Sequence, residues 1–327
     1  MDILLHRMQL TGSAMANQAV FADPATSEKL VIRDHAMPQP RHNEALIKVA
    51  AISLNRGETK RAFASTAPWI PGWDFAGTVE QAAADGSGPK AGTRVVGILM
   101  AGAWARYVAA PSPSLAVLPD RVSFAQAATF PVAGLTALHA LAKGGLLIER
   151  KVLITGATGG VGDFAVQLAR IGGARVVAVA RRAEQAAALK ALGAHEVVLG
   201  ADLETAKPHG PYHLVVDSVG GKSLGAALAL LAKTGTCVTL GASESERVNF
   251  DNRAFFIAGR TTLYGLYLFQ DLEIEPASVG LRRIAALVAD GRLKPTIARE
   301  APWTDVAKVA AALIDRSYPG KAVLHLG

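Results

Sequence analysis

Four glycines interrupt an apolar stretch near the middle of the sequence. Gly156, Gly159, Gly160 and Gly162 lie between the β-branched run "KVLIT" and the helical pattern "GDFAVQLAR". A strand, a glycine turn and a helix in succession place bare backbone N–H groups and a helix N-terminus against a diphosphate. Glycine suits this task because a Cβ would hold the backbone away from the phosphates, and because some turn positions need φ > 0. The pattern predicts a dinucleotide site; a tight turn without a ligand is the alternative.

Two arginines end the next predicted strand, at the position whose residue type distinguishes NAD-binding from NADP-binding units. In NAD-specific units an Asp or Glu about twenty residues beyond the glycines binds the ribose 2′-hydroxyl. Here "RVVAVA" ends in Arg181 and Arg182, with no acid at its tip. Guanidinium groups bind a 2′-phosphate that a carboxylate would repel, so the sequence predicts NADPH, with Arg181 ahead of Arg182. Solvated residues at a helix start are the alternative, which Glu184 favours.

The elements that must position these residues alternate regularly. Apolar strands alternate with helices such as "AEQAAALKALG" and "SLGAALALLAK"; the strands are "KVLIT", "ARVVAVA", "HEVVLG", "HLVVDSV", "GTCVTLGA" and "TTLYGLYLF". Strands that are apolar throughout, separated by helices, predict a parallel sheet covered on both faces. Before residue 121 the chain instead has frequent Pro and Gly between short β-type segments, which predicts a β-rich domain with many turns. We expect the closing strand "KAVLHLG" to return to that domain.

Composition narrows the classes of function. The formal charge of +7 comes from 34 Lys and Arg against 27 Asp and Glu, but the basic residues are scattered and aromatic residues make up only 6%. This disfavours nucleic-acid binding and favours a local basic pocket for a small anion. The single Cys237 excludes an intramolecular disulfide and is typical of a buried strand. No apolar run is long enough to span a membrane, so we expect a cytoplasmic protein without a membrane partner.

Motifs along nearly the whole chain resemble those of the medium-chain dehydrogenase/reductase superfamily, in its zinc-independent quinone oxidoreductase branch. "LNRGE" is similar to an Asn-x-x-Asp segment with Glu58 in place of Asp, and "IPGWDFAGTVE" to a Pro-Gly-x-Glu-x-x-Gly-x-Val turn with Asp74 in place of Glu. "GATGGVG" resembles the cofactor loop, and "DGRLKPTI" and "PGKAVLHL" resemble the closing segments. The resemblance implies an α/β protein in which a Rossmann doubly wound parallel sheet is inserted in a GroES-like β-rich catalytic domain. The expected boundaries are 1–120 for the GroES-like substrate domain, 121–268 for the Rossmann domain and 269–327 for the return.

Departures from the zinc-containing members imply that no metal is bound. Trp73 occupies the position of a ligand His, the position of the first ligand Cys holds a non-ligand, and the four-cysteine lobe is missing. His209 and His213 are four residues apart, but Gly210 and Pro211 between them exclude the helix that would align them. Activation of an alcohol by a Lewis acid is therefore not expected.

The function that the resemblance implies is hydride transfer from NADPH to a quinone or a similar conjugated carbonyl. The alternative is an NADPH-dependent C=C reductase acting on an enone or an enoyl thioester. A non-enzymatic nucleotide-binding protein is a third hypothesis. We name no catalytic acid or base from the sequence.

Family positions also imply the cofactor contacts. Besides the two arginines, the expected contacts are Asn55, Thr136, Gly156, Thr158, Gly159, Gly160, Val161, Gly162, Ser218, Val219, Gly241, Ala242, Gly265 and Leu266. Asn55 as a helix cap, Thr136 as a packed residue and Ser218 as a turn residue are the alternatives.

The acceptor pocket and the assembly follow from the same resemblance. Trp69, Trp73 and Tyr107 are candidate substrate-pocket residues, with a packed turn for the tryptophans and a core position for Tyr107 as the alternatives. Asp74 is a candidate for a structural ion pair. The strand expected over 261–269 is apolar enough to pair with its copy, which predicts a homodimer.

Overall fold

The computed structural model describes residues 17–327, in which fifteen strands and ten α-helices are formed. The strands are β1 Asn17–Ala22, β2 Leu30–His35, β3 Glu44–Ser53, β4 Asp74–Gln81, β5 Arg94–Ile98, β6 Tyr107–Pro111, β7 Leu115–Val117, β8 Lys151–Ile154, β9 Arg175–Ala180, β10 Glu196–Leu199, β11 Tyr212–Asp217, β12 Leu231–Thr239, β13 Thr262–Gly265, β14 Ile297–Pro302 and β15 Lys321–His325. The helices are α1 Arg56–Phe63, α2 Phe124–Ala128, α3 Leu135–Ala142, α4 Gly160–Ile171, α5 Ala186–Ala191, α6 Gly221–Leu228, α7 Asn252–Ile257, α8 Leu268–Ile274, α9 Ala277–Ala289 and α10 Val306–Ile314. A π-helical turn, Phe130–Gly134, joins α2 to α3.

A six-stranded parallel sheet forms the centre of the half expected to bind the dinucleotide, in the order β10-β9-β8-β11-β12-β13. Its inner strands are buried almost throughout, as their continuous apolar sequences require when helices cover both faces. The strand order reverses direction from β8, so the carboxyl ends of β8 and β11 border the crevice where such sheets bind ligands. The predicted fold class is therefore confirmed.

The β-rich half contains a seven-stranded sheet in the order β14-β15-β3-β4-β5-β7, with β6 also paired to β3. The last strand, β15, is antiparallel to β3, with Val323 opposite Ser53 and His325 opposite Ala51. The strand β15 thus returns to the sheet that contains β3, β4 and β5. This sheet surrounds a separate apolar core that includes Trp104 and Phe75. None of the helices within residues 17–327 is long and apolar enough to cross a membrane.

Two predicted element boundaries were wrong. The segment 261–269 is not one strand, because β13 ends at Gly265 and α8 begins at Leu268. The amides of Gln270 and Asp271 bond to the carbonyl of Tyr267, so a helical turn starts where the apolar sequence resembled a longer strand.

The second error concerns the helix predicted over "SLGAALALLAK". The structure ends α6 at Leu228 and begins β12 at Leu231. Leu231 pairs with Tyr212 of β11, and Thr234 adopts φ +62 where the pairing register shifts. Strand pairing has overridden a local helical preference.

Candidate functional site

The glycine turn between β8 and α4 leaves its backbone open on one side. Gly156 has φ +59, and a Cβ there would lie 2.2 Å from Oγ of Ser218. At Gly162 a Cβ would lie 2.4 Å from the Gly156 carbonyl oxygen, so this glycine allows the helix to pack closely on the turn. Around Gly159 the nearest neighbour of a Cβ would be that same oxygen, at 3.3 Å. The turn therefore keeps a bare surface at Gly159, beside the N-terminus of a twelve-residue helix.

The last strand docks directly onto this turn. The amide of Gly320 donates to the carbonyl of Thr158 at 3.0 Å, and Gly159 and Gly320 form an isolated parallel bridge. A Cβ at Gly160 would lie 2.8 Å from Cδ of Lys321. The absence of a side chain at Gly160 thus makes room for a protein side chain rather than for a phosphate.

Lys321 continues from the glycine turn into a buried polar cluster. Its Nζ donates to Oδ1 of Asn55 at 2.6 Å and to the carbonyl of Leu54 at 3.1 Å. It also pairs with Oδ2 of Asp74 at 3.2 Å, with both side chains almost wholly buried. Asp74 therefore forms the structural ion pair that was a candidate from the sequence. The other oxygen of Asp74 accepts from the amide of Val132, in the turn before α3, at 2.9 Å.

Asn55 lies at the centre of this cluster and is also the N-cap of α1. Its Nδ2 donates to Oε1 of Glu58 at 2.9 Å and to Oδ2 of Asp74 at 2.8 Å. These two bonds use both Nδ2 hydrogens, and Oδ1 accepts from Lys321, so Oδ1 is the atom through which Asn55 could meet a ligand. Asn55 can thus accept a hydrogen bond from a ribose hydroxyl but cannot donate one. The capping and cofactor-contact alternatives are compatible.

Burial shifts the protonation of the two carboxyl groups. Burial first, and then the nearby charge of Asp74, raise the pKa of Glu58 to about 8. Burial also raises the pKa of Asp74, whereas Lys321, Asn55 and the Val132 amide act in the opposite direction. Both oxygens of Asp74 accept hydrogen bonds, whereas Oε2 of Glu58 has no partner among the described residues. We therefore assign the proton to Glu58 at neutral pH and the negative charge to Asp74.

The remaining expected cofactor residues lie along the carboxyl edge of the parallel sheet or on adjacent helices. Ser218 and Val219 follow β11, and Gly241 and Ala242 follow β12. A Cβ at Gly241 would lie 3.1 Å from the carbonyl oxygen of Ser218, so these two loops touch. At the end of β13, no heavy atom lies within 4 Å of a Cβ built at Gly265, which faces open space.

The other three expected contacts are less open. Leu266 is buried and its amide donates to the carbonyl of Thr239. Thr136 is buried in the first turn of α3, and Val161 is half-buried in the first turn of α4. Their side chains are thus held mainly by the protein.

The two arginines at the end of β9 have different surroundings. Arg182 pairs with Glu184 at 2.9 Å. No salt bridge in residues 17–327 involves Arg181, whose pKa is lowered by partial burial and then by the charges of Arg316 and Arg182. Arg316 and Arg181 likewise lower the pKa of Arg56, after burial. The charges of Arg181 and Arg316 thus act on Arg56, and that of Arg316 on Arg181, whereas Asp315 acts on Arg56 in the opposite direction.

Arg56 and Arg316 are held in place by backbone carbonyls. Arg56 Nη1 donates to the carbonyls of Leu313 and Ile314 at 3.0 and 2.8 Å, and its buried Nε has no partner in the described part of the chain. Arg316 has φ +57 and donates to the carbonyl of Ser243. Sequence reasoning missed both arginines because each lies more than a hundred residues from Arg181.

The three candidate pocket residues lie in different places. Trp69 pairs by its backbone with Ala22, and the guanidinium of Arg61 covers its ring at 4.6 Å. Tyr107 is buried in β6 opposite Lys48, which faces Thr78 on β4. That register places Tyr107 at least about 13 Å from the start of β4, at ~3.3 Å per strand residue.

Trp73 is the candidate that contacts helix α8. Its ring meets Phe269 edge-on, with centroids 5.8 Å apart. Phe269 and its neighbour Tyr267 are further residues that the sequence reasoning missed.

The residue set does not suit a metal. Within residues 17–327 there is no group of three or more His, Cys, Asp or Glu side chains that could hold one. Asp74 and Glu58 both accept from Nδ2 of Asn55, and Asp74 is also paired with the ammonium group of Lys321. Cys237 is buried in β12, where burial raises the pKa of its thiol.

Comparison with known proteins agrees with this architecture. The description "Alcohol dehydrogenase GroES-like domain" matches residues 41–120, and "Zinc-binding dehydrogenase" matches residues 160–281. A chloroplast envelope quinone oxidoreductase homolog of Arabidopsis thaliana is 29% identical over 313 residues, which are 88% of this chain and 92% of that protein. The chain belongs to the medium-chain dehydrogenase/reductase superfamily, in its quinone oxidoreductase-like branch.

Two further relatives of this superfamily bear on the chemistry. A 2-methylene-furan-3-one reductase of Solanum lycopersicum is 34% identical over 175 residues, which are 49% of this chain and 45% of that protein. The structure of mycobacterial Rv1454c complexed with NADPH superimposes with a TM-score of 0.84 at 27% identity, covering 94% of this chain and 99% of that one. The present chain is an oxidoreductase, like these relatives. The hypothesis of a non-enzymatic nucleotide-binding protein therefore has no support.

Proposed function

We propose that the protein transfers hydride from NADPH to a quinone or a similar conjugated carbonyl acceptor, without zinc. One observation supports NADPH above NADH. Arg181 stands at the end of β9 with no carboxylate partner in residues 17–327, next to Arg56 and Arg316. Asp315 offsets part of this positive charge at Arg56, but Arg181 has no carboxylate partner in residues 17–327, so a further anion at Arg181 is favourable. A 2′-phosphate supplies that anion, and the ribose hydroxyl of NADH does not.

The size of the expected preference follows from the bonds involved. A hydrogen bond to a charged group contributes about 1.5–3 kcal/mol. Since ~1.4 kcal/mol corresponds to a factor of ten, a single guanidinium–phosphate bond gives at least about tenfold in favour of NADPH. Arg181 is exposed, which allows it to reach a ligand.

The chain's own residues position the reactants. The open backbone at Gly159 and the N-terminus of α4 would hold the diphosphate, and Oδ1 of Asn55 would accept from a ribose hydroxyl. When bound, the reduced nicotinamide supplies a hydride, which converts a quinone to a hydroquinone monoanion that one proton from solvent neutralises. No metal is required because conjugation already activates the acceptor. The protein's contribution is to hold donor and acceptor close and in the correct orientation.

The second candidate function is reduction of a C=C bond conjugated to a carbonyl. It is favoured by the similarity to the 2-methylene-furan-3-one reductase. The same cleft would then present hydride to the β-carbon, and solvent would supply the proton to the α-carbon.

A comparison of Arg181→Ala with Arg182→Ala tests the cofactor assignment. Both variants remove an exposed guanidinium from the same strand end, but Arg182 is already paired with Glu184. With a quinone as acceptor, we expect Arg181→Ala to lower kcat/KM for NADPH tenfold or more and to leave NADH unchanged. Arg182→Ala should change NADPH use by less than threefold. Equal use of NADPH and NADH by the unmodified protein would refute the assignment.

We further propose a homodimer formed through the free edge of β13. Leu263 on this strand is exposed, and the neighbouring helix α7 exposes Phe256 and Ile257. An apolar sheet edge of this kind favours pairing with a second copy.

A further inference from the structure

Asp271 is a buried carboxylate on which three side chains from two other parts of the chain converge. Its Oδ1 accepts from the hydroxyl of Tyr264 in β13 at 2.9 Å. Its Oδ2 lies 2.9 Å from Nζ of Lys143, at the end of α3, and 3.6 Å from Nδ1 of His139 in that helix. The Asp271 side chain is 6% exposed, so these contacts replace water that the carboxylate would otherwise bind. We call Tyr264, Lys143 and Asp271 the carboxylate clamp.

Each residue of the clamp contacts the other two. Nζ of Lys143 lies 4.3 Å from the ring centroid of Tyr264, as a cation–π contact. Burial acts to raise the pKa of Asp271, but Lys143, Tyr264 and His139 together outweigh it and bring that pKa below its ordinary value. Burial acts to lower the pKa of Lys143, but its two partners outweigh it and raise that pKa. At neutral pH the clamp therefore contains a full ion pair.

The clamp holds a short loop at both of its ends. Tyr264 directly precedes Gly265, and Asp271 lies in the first turn of α8. The bond between Tyr264 and Asp271 therefore joins the two ends of the segment 265–267. No heavy atom lies within 4 Å of a Cβ built at Gly265, so the loop is held at its ends while this residue faces open space.

The order of the strands indicates which end of a bound dinucleotide this loop would meet. Strand β9, which is followed by Arg181, and strand β13 lie on opposite sides of β8, which leads into the glycine turn. A cofactor with its diphosphate at that turn and its adenosine at Arg181 would extend in the other direction, towards β12 and β13. Three strand spacings separate β8 from β13, which is about 14 Å. The loop would therefore meet the nicotinamide end.

Lys143 connects the clamp to a second element that carries an expected cofactor contact. Lys143 directly follows α3, and Thr136 lies in the first turn of that helix. Through its ion pair with Lys143, Asp271 ties the loop to α3 as well as to β13. Loss of the clamp would free the loop to move relative to both elements.

We propose that Asp271 is a positioning residue that, through Tyr264 and Lys143, holds the loop 265–267 against the nicotinamide end of bound NADPH. This rests on the proposed function, because the loop belongs to the same cofactor site. Asp271 acts through the loop and not on the reacting atoms. Because hydride transfer depends on the distance between donor and acceptor, a looser loop lowers kcat as well as the affinity for NADPH.

The alternative role for the clamp is to stabilise the fold without affecting the cofactor. Its removal would then lower the melting temperature and leave the relative affinities for nucleotides unchanged. The two roles differ in one ratio, that of the Kd for NADPH to the Kd for 2′,5′-ADP. The second ligand carries the adenosine 2′-phosphate but no nicotinamide, so the clamp should not affect its binding.

The experiment measures both Kd values by NADPH fluorescence and its displacement by 2′,5′-ADP. Tyr264→Phe removes only the hydroxyl and keeps the ring beside Lys143, and Asp271→Asn keeps the size of the side chain and removes its charge. Each variant loses or weakens one bond to a charged group, so we expect the Kd for NADPH to rise about tenfold and that for 2′,5′-ADP less than twofold. With naphthoquinone and saturating NADPH, kcat should fall at least threefold. Lys143→Arg retains the charge and should bind both ligands like the unmodified protein.

Glu275→Gln is the matched control. Glu275 and Arg283 form an ion pair at 3.0 Å that lines the same cavity as Lys143 and Asp271. This pair holds α9, rather than β13, to the end of α8. Its loss should therefore change neither Kd nor kcat.

The results that would overturn this inference differ from those that would overturn the proposed function. Equal loss of affinity for NADPH and 2′,5′-ADP in Tyr264→Phe and Asp271→Asn, or no loss for either ligand, refutes the positioning role. A change in Glu275→Gln as large as that in Asp271→Asn also refutes it. An unmodified protein that binds NADPH but reduces no quinone or enone refutes the proposed function, while the ratio of the two Kd values still tests the clamp. Absence of NADPH binding to the unmodified protein refutes both.

Discussion

Glu58→Gln tests the assignment of a proton to the buried carboxyl cluster. The substitution keeps the size of the side chain and removes its titration. Glu58 accepts two bonds through Oε1, from the amide of Asn55 at 2.8 Å and from its Nδ2 at 2.9 Å. The carbonyl oxygen of the introduced glutamine can accept both bonds, and its NH2 group takes the place of the unpartnered Oε2. The geometry is thus retained while the side chain becomes permanently neutral.

The direction of the effect follows from the raised pKa. The pKa of Glu58 is 4.5 at its ordinary, unfolded value and about 8 in the folded protein. Between these values the folded state holds a proton that the unfolded state has released, so stability falls as the pH rises. The fall is ~1.4 kcal/mol per pH unit. From about pH 5.5 to about pH 7.5 the unmodified protein should therefore lose about 3 kcal/mol more of its free energy of unfolding than Glu58→Gln.

Urea unfolding followed by tryptophan fluorescence measures this difference. All four tryptophans, Trp69, Trp73, Trp104 and Trp303, belong to the β-rich half that contains Glu58. The control is Glu80→Gln, which alters an exposed carboxylate and should follow the unmodified protein at every pH. Parallel pH profiles for the unmodified protein and Glu58→Gln would refute the raised pKa. If both profiles fall with rising pH by the same amount, Asp74 holds the proton instead.

Two further predictions concern the turn and the sheet edge. Gly159→Ala should weaken NADPH binding at least tenfold without lowering the melting temperature, because its Cβ enters the open side of the turn. Gly156→Ala should lower both the affinity for NADPH and the melting temperature. Residue 156 has φ +59, and the added Cβ would lie 2.2 Å from Oγ of Ser218, so the substitution strains the fold itself. An unchanged NADPH affinity in Gly159→Ala would place the diphosphate elsewhere. Leu263→Lys should convert the dimer to a monomer by light scattering, whereas Leu146→Lys, at a 75% exposed site, should not. A monomeric unmodified protein would refute the pairing.

Local patterns were sufficient to predict the parallel sheet and the position of its cofactor turn. Each of these predictions used one apolar run and the residue that follows it: "KVLIT" with Gly156, and "RVVAVA" with Arg181. Such information lies within a few residues, and it also favours Arg181 over Arg182. Local reasoning failed where pairing partners were distant. Leu231 is drawn into a strand by Tyr212, and nothing in "LAK" itself predicts this.

The residues that complete the site come from far along the chain. Arg56 and Arg316 join Arg181 only because the chain's last strand returns to β3. A charged residue at the start of an otherwise buried strand was the available signal for Lys321, whose exposure is 3%. A lysine is rarely buried unless it is paired, so this position indicated a buried carboxylate without identifying which one.

Lys321 links the glycine turn to the polar cluster of Asn55 and Asp74 and so fixes the distance between them. Its stem contacts Gly160 in the cofactor turn, and its ammonium group binds Asn55 and Asp74 on the acceptor side. Asp74 in turn binds the amide of Val132, which leads into the helix carrying the expected cofactor contact Thr136. Because this network is largely buried and its polar groups are hydrogen-bonded to one another, a shift at one end strains the other. Hydride transfer depends on the distance between donor and acceptor, and one buried side chain from the last strand connects the elements that define it.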